Sequence, residues 1–199
     1  MNMKALMIED DGDVTAEEHW AKRGDIDLYI YRKFVPSARA ENPDRGVLFL
    51  VHGSSFSART TYDLSVPGQG EYSVMNVFSR LGYDVWTIDH EGYGKSTHTD
   101  GFSYIADGVE DLKAAMPIVE KETGISAYGF YGSSSGALRA GAFANACPQR
   151  VAKLALAALV WTGEGSPTLK RRAERIDEWR SSNRRIVDES AYQRIFSRD

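Results

Sequence analysis

Between Gly132 and Gly136 the sequence runs Gly-Ser-Ser-Ser-Gly, and of the three serines only Ser134 has a glycine both two residues before it and two residues after it. A hydroxyl held on a tight turn between a strand and a helix can act as a nucleophile, and the flanking positions of such a turn must lack side chains that would clash. The apolar stretch 127–131 reads as the strand before the turn, and Ser135 to Ala146 as a small-residue helix after it. A helix N-terminus directs its unpaired amides at any anion formed there. The chemistry this allows is attack of Ser134 on a carbonyl carbon, with the backbone N–H of Ser135 donating to the developing oxyanion. The side chains of Ser133 and Ser135 read as small groups tolerated in the turn and pointing elsewhere.

The elements that must position Ser134 are legible as apolar runs. GVLFLVHG ends in His52-Gly53, and the N–H of Ser54 is a second candidate oxyanion donor. A further run, Asp84 to Asp89, leads into Asp89-His90-Glu91-Gly92-Tyr93-Gly94-Lys95-Ser96. Runs without alternation fit parallel strands buried on both faces. Ile26 to Pro36 alternates as a strand does, and Val151 to Trp161 reads as another buried strand. Helical spacing puts Val74, Met75, Phe78 and Leu81 on one face, and Ile105, Val109, Leu112, Met116 and Val119 on another. Gly124 suits the stop of the second helix, while Pro117 is expected to bend it or shift its start. Strand and helix alternate, as in a right-handed parallel βαβ sheet.

Composition narrows the partners. A chain of 199 residues suffices for one domain with a sizeable core, and a net charge of -4 with a pI near 5.6 provides no basic field for nucleic acid. No apolar run approaches the length of a membrane span, and the acidic N-terminus contradicts secretory or mitochondrial targeting, so a cytoplasmic protein is expected. Cys147 reads as a small buried filler. The four histidines, His19, His52, His90 and His98, lack metal-ligand spacing, so no metal and no cofactor is expected. Gly94-Lys95-Ser96 lacks the upstream glycine of a nucleotide-binding loop, Asp89 standing at that position.

The order strand, His-Gly, helix, strand, D-x-x-G-x-G-x-S, helix, strand, G-x-S-x-G, helix, strand resembles the N-terminal two thirds of an α/β-hydrolase. DHEGYGKS is similar to the form in the monoacylglycerol lipase and serine aminopeptidase-like branch. The resemblance implies an α/β fold with a mostly parallel sheet and helices on both faces, followed by the start of a helical cap. It divides the chain into an acidic leader over 1–25, a core over 26–165 and a cap segment over 166–199. It also implies transfer of an acyl group from a small ester, amide or thioester to water. Ser134 is the nucleophile, the amides of Ser54 and Ser135 hold the oxyanion, and His52, Gly53, Asp89, Gly132 and Gly136 support the site. Serine at this turn disfavours the dehalogenase and epoxide hydrolase branches, which use aspartate.

In that fold a catalytic acid and then a histidine follow the serine. No histidine follows Ser134 here; Glu164, Asp177 and Asp188 fall in the cap segment, and His98 reads as a solvated loop residue. The two strands that the family adds after the cap are also missing. The expectation is therefore a fragment of a longer hydrolase, with 151–161 at an open sheet edge that a second copy or a partner chain would cover. Two alternatives are a protein of the same fold that binds a small ligand without turnover, and a lyase. In the cap segment Lys170, Arg171, Arg172, Arg175, Arg180, Arg184 and Arg185 outnumber Glu174, Asp177 and Glu178. A solvated helix face is the preferred explanation, ahead of a lid that favours acidic or lipid-surface substrates.

Overall fold

Apolar runs become strands, and the acidic N-terminal segment joins them. The computed structural model describes residues 6–11, 13–160, 162–184, 186, 188–190 and 193. Among them seven strands make one sheet: β1 (Leu6–Asp11), β2 (Val14–Arg23), β3 (Ile26–Phe34), β4 (Val47–Val51), β5 (Asp84–Ile88), β6 (Tyr128–Ser133) and β7 (Val151–Ala157). Their order is β1-β2-β3-β5-β4-β6-β7. The run β5-β4-β6-β7 is parallel, and β1, β2 and β3 extend it as an antiparallel ribbon, β3 pairing with β5. The helices are α1 (Pro36–Glu41), α2 (Ala58–Tyr62), α3 (Val74–Arg80), α4 (Ile105–Thr123), α5 (Ser135–Ala146), α6 (Pro167–Ala173) and α7 (Ile176–Ser181). The chain divides into two units, Met1–Thr99 with Ser103–Val160, and Asp100–Phe102 with Trp161–Asp199.

In the first unit both faces of the sheet are covered. Successive residues of a strand point to opposite faces, so Phe49 and Val51 enter a cluster with Leu112, Met116 and Val119 of α4 and Phe143 of α5. Leu50, between them, packs instead with Tyr62 of α2 and Met75 of α3. That double burial is why β4 reads as an uninterrupted apolar run.

Several expectations need correction. The segment expected as a leader over 1–25 holds two strands. In β2 the buried positions Val14, Ala16, His19 and Ala21 change phase in the middle, because the strand serves one face with Ala16 and the other with Ala21, and the acids between them hide the pattern. In α3, Met75 is fully buried, but Val74 and Leu81 are exposed at 36% and 51%; Asn76 and Ser79 occupy the inner face instead. Pro117 does not interrupt α4, since it and Lys113, whose carbonyl loses its partner, lie on the exposed side. Cys147 is half-buried rather than buried. The strand expected over 151–161 ends at Ala157, with Trp161 outside the described residues, and it is an exposed edge rather than a buried strand: Leu154 and Leu156 are 40% and 36% exposed.

In the second unit the expected polar helix is two short ones, α6 and α7. Ser166 caps α6 by accepting the Leu169 N–H at 3.3 Å, and Arg175 donates to Glu178 at 2.9 Å. Ile176 and Trp179 are 46% and 40% exposed. Arg185 of the basic segment lies outside the described residues.

A buried ion cluster binds the ribbon to the parallel strands. Arg32 of β3 forks onto Asp84 of β5 at 2.8 and 2.6 Å and reaches Glu17 of β2 at 2.7 Å. Asp84 is fully buried and also accepts Arg39 at 2.8 Å. Removing one partner of a buried pair strands the other charge. Asp84→Ala is therefore expected to cost about 3–5 kcal/mol in urea denaturation, whereas Lys22→Ala, which breaks the exposed pair with Asp27, is expected to leave the denaturation midpoint unchanged.

Candidate active site

Ser134 stands between β6 and α5 with φ 58° and ψ -122°, a left-handed φ that no other serine of the described residues adopts. Three glycines let the backbone do this. A Cβ on Gly132 would lie 2.4 Å from the Gly136 carbonyl oxygen, and one on Gly136 would lie 2.2 Å from the Val51 oxygen and 2.6 Å from that of His52. On Gly53 a Cβ would meet the Ser133 oxygen at 3.1 Å and the Ser134 Cβ at 3.4 Å. The end of β4 is thus pressed directly on the turn after β6. The Ser134 N–H donates to the Ala157 oxygen at 3.0 Å, its side chain faces outward, and its Oγ has no hydrogen-bond partner among the described residues. The N–H of Ser135 opens the 12-residue α5, where no intrahelical acceptor is available. Ser133 is half-buried, and the Ser135 Oγ is buried without a partner.

Ser54 follows Gly53 in an exposed bend, and its carbonyl accepts the Tyr93 hydroxyl at 3.2 Å. Asp89 does not touch the turn. Its carboxylate accepts the N–H groups of Ala58 at 2.8 Å and Lys95 at 3.0 Å, which closes the loop after β5. A Cβ on Gly94, whose φ is 51°, would fall 1.9 Å from the Asp89 carboxylate. Ser96 donates to the Asp89 carbonyl at 2.5 Å and accepts the Tyr29 N–H at 2.9 Å. The spacing D-x-x-G-x-G-x-S is therefore a loop closure. Burial nonetheless pushes the Asp89 carboxyl above its ordinary range. His98 is exposed and bonds the Gly94 carbonyl at 3.1 Å.

Beneath the loops lies a polar cluster that sequence reasoning missed. His90 and Asp111 of α4 are both fully buried, with His90 Nδ1 3.0 Å from the carboxylate. The same carboxylate accepts Arg23 Nε at 2.7 Å and the Glu91 N–H at 3.2 Å, and Arg23 also forks to the Glu91 carboxylate. The His90 N–H donates to His52 Nε2 at 3.2 Å, and His52 Nδ1 lies 2.7 Å from the Gly53 oxygen. Burial holds both imidazoles well below their usual pKa, helped by His90 beside His52 and by Arg139 and Arg23 beside His90. Arg139 of α5 is 2% exposed and donates to the Ser103 carbonyl and hydroxyl at 3.0 Å, and Gly108 leaves the space that its side chain fills. One signal was available in the sequence: Asp111 is a charged residue on the buried face of α4, between Val109 and Leu112.

This geometry has relatives. A family model described as serine aminopeptidase, S33, matches residues 42–194, and the chain belongs to that family and so to the α/β-hydrolases. Among curated proteins none matches it in sequence. Of solved structures, the thioesterase domain of the curacin biosynthetic pathway superposes with a TM-score of 0.62 at 19% identity, covering 92% of this chain and 62% of the domain. A CIB-like hydrolase from Thermoplasma acidophilum follows with 0.56 at 19% identity, over 77% of this chain and 67% of that one. A cold-adapted esterase from an Arctic intertidal metagenomic library matches with 0.55 at 20% identity, over 78% and 64%. Such identities show a shared fold, and the chain spans about two thirds of the length of these three structures.

Strain at Ser134 is measurable. Ser134→Gly and Ser134→Ala both remove the hydroxyl, but only glycine tolerates the positive φ without a Cβ penalty. The glycine variant is expected to be more stable than the alanine variant by about 1 kcal/mol in denaturant titrations; equal stabilities would mean that the turn relaxes.

Proposed function

We propose that the protein is a serine hydrolase that transfers the acyl group of a small ester, amide or thioester to water through Ser134. The observation that carries this is the strained, outward-facing Ser134 at the start of a 12-residue helix, with the Gly53 loop packed on it. Strain of this kind costs on the order of 1–3 kcal/mol and persists where function demands it. In the proposed reaction Ser134 Oγ bonds to the carbonyl carbon, the leaving group departs with a proton, and water then releases the acid and restores the hydroxyl. The N–H groups of Ser54 and Ser135 take the oxyanion, which in hydrolases of known mechanism contributes about 10²–10³-fold per donor. A thioesterase domain and an esterase stand among the structural neighbours, and those names agree with the proposed reaction class.

The proton that leaves Ser134 needs an acceptor. His90 is fully buried against Asp111 and does not bond to Ser134, and among the described residues no group accepts a hydrogen bond from the Ser134 Oγ. That observation favours a second reading, in which the site binds a small ligand without turnover.

A fluorophosphonate probe separates the two. Intact-mass analysis is expected to show one adduct on the wild-type chain, none on Ser134→Ala, and Ser134→Ala should also abolish hydrolysis of p-nitrophenyl acetate. An adduct that persists in Ser134→Ala would remove Ser134 from the nucleophile role. A wild-type chain that stays unlabelled would support binding without turnover.

A further inference from the structure

The polar cluster under the loops ends on one peptide group. In a trans peptide the carbonyl of residue 53 and the N–H of residue 54 share a plane and point in opposite directions. The carbonyl is the one gripped by His52 Nδ1 at 2.7 Å, and the N–H is the candidate oxyanion donor. Whatever fixes His52 therefore fixes the aim of the Ser54 N–H.

The fixing can be followed outward. His52 Nε2 accepts the His90 N–H at 3.2 Å, so it carries no proton, and the proton of the neutral ring must sit on Nδ1, facing the Gly53 oxygen. His90 is held by Asp111, and Asp111 is held by Arg23 of β2 at 2.7 Å, with Glu91 bridging the two through its N–H and its carboxylate. Tyr93, from the same loop, clamps the other side of Ser54 through its carbonyl.

We propose that Asp111 and Arg23 are positioning residues that, through His90 and His52, orient the Ser54 N–H toward Ser134. Arg23 precedes residue 42, where the family match begins, so a strand of the N-terminal ribbon sets the geometry of the oxyanion loop. The inference rests on the reading of Ser134 as nucleophile and Ser54 as oxyanion donor. It gives the ribbon a part in the site that packing alone does not require.

The test reads the loop directly. In the full chain with ¹⁵N-labelled histidine side chains and backbone, the His52 resonances are expected to report a single Nδ1–H tautomer in the wild type. In Asp111→Asn and Arg23→Met they should move to a tautomer mixture and the Ser54 amide should shift, with both signals recovering in Arg23→Lys. Fluorophosphonate labelling of Ser134 is expected to slow about tenfold in the first two variants, less than the loss of a whole donor. A His52 that stays wholly Nδ1–H and a Ser54 amide that stays in place in Arg23→Met would overturn the proposal. If Asp111→Asn does not fold, the Arg23 pair decides the matter. If wild-type Ser134 never labels, the nucleophile reading fails while the nitrogen spectra still judge the relay.

Discussion

Backbone pressed on backbone is the constraint from which the rest of this structure follows. The carbonyls that end β4 lie where the Cβ of residue 136 would be, and the Gly136 carbonyl lies where the Cβ of residue 132 would be. No side chain fits at either position, and no rotamer change can make room, because the obstacles are main-chain atoms, those of residues 51–52 at the end of β4 and those of residues 136–137 in α5. Two glycines thus set the distance between β4 and α5, and that distance forces the chain at Ser134 into its left-handed turn. Everything else at the site adjusts to this contact: the 52–55 loop rests on the turn through Gly53, and α5 starts where its first amides face outward.

Charge then fixes what glycine allows. Arg32 and Arg23 come from neighbouring strands of the N-terminal ribbon, and each enters the parallel part of the fold to meet a buried carboxylate, Asp84 in β5 and Asp111 in α4. A buried ion pair gains little net stability over an apolar pair, yet it tolerates only one arrangement, since a displaced partner leaves a charge without solvent. The ribbon is therefore held against β5 by one pair and against α4, beneath the loop after β5, by the other. Asp89 works in the same way within that loop, using two backbone N–H groups where Asp84 and Asp111 use arginines.

What the sequence made legible follows from how local each signal is. The turn at Ser134, the end of β4 and the loop closure at Asp89 each lie within a few consecutive residues, and glycines mark all three. The buried stripe of α4 is likewise local, and Val109, Leu112, Met116 and Val119 pack as their spacing predicts. β2 was hidden because it serves both faces of the sheet: its buried positions change phase between Ala16 and His19, and Glu17 and Glu18 lie between them. Those acids look like solvent-facing residues until Arg32 and Tyr29 are seen to receive them. The chain from Arg23 to His52 showed only through Asp111 on the buried face of α4, since its four side chains come from four separate elements and none has a neighbour in sequence that betrays its partner. His90 does lie in the loop after β5, and its burial was hidden because the acid that holds it is 21 positions away.

The turn is also tied to the least protected part of the sheet. The Ser134 N–H has its acceptor on Ala157, the last residue of β7, and Ala158 immediately after it adopts a left-handed φ of 51°. Beyond β7 no strand pairs among the described residues, so its outer backbone groups face away from the sheet, with Leu154 and Leu156 exposed beside them. An edge of that kind frays more readily than a central strand. Any loss of order at 157–158 removes the acceptor of the Ser134 N–H, and the turn then depends on the contacts at Gly53, Gly132 and Gly136 and on the Ala137 N–H bond to the Ser134 carbonyl. Cover on β7, whatever provides it, therefore stabilises the serine as directly as it stabilises the edge.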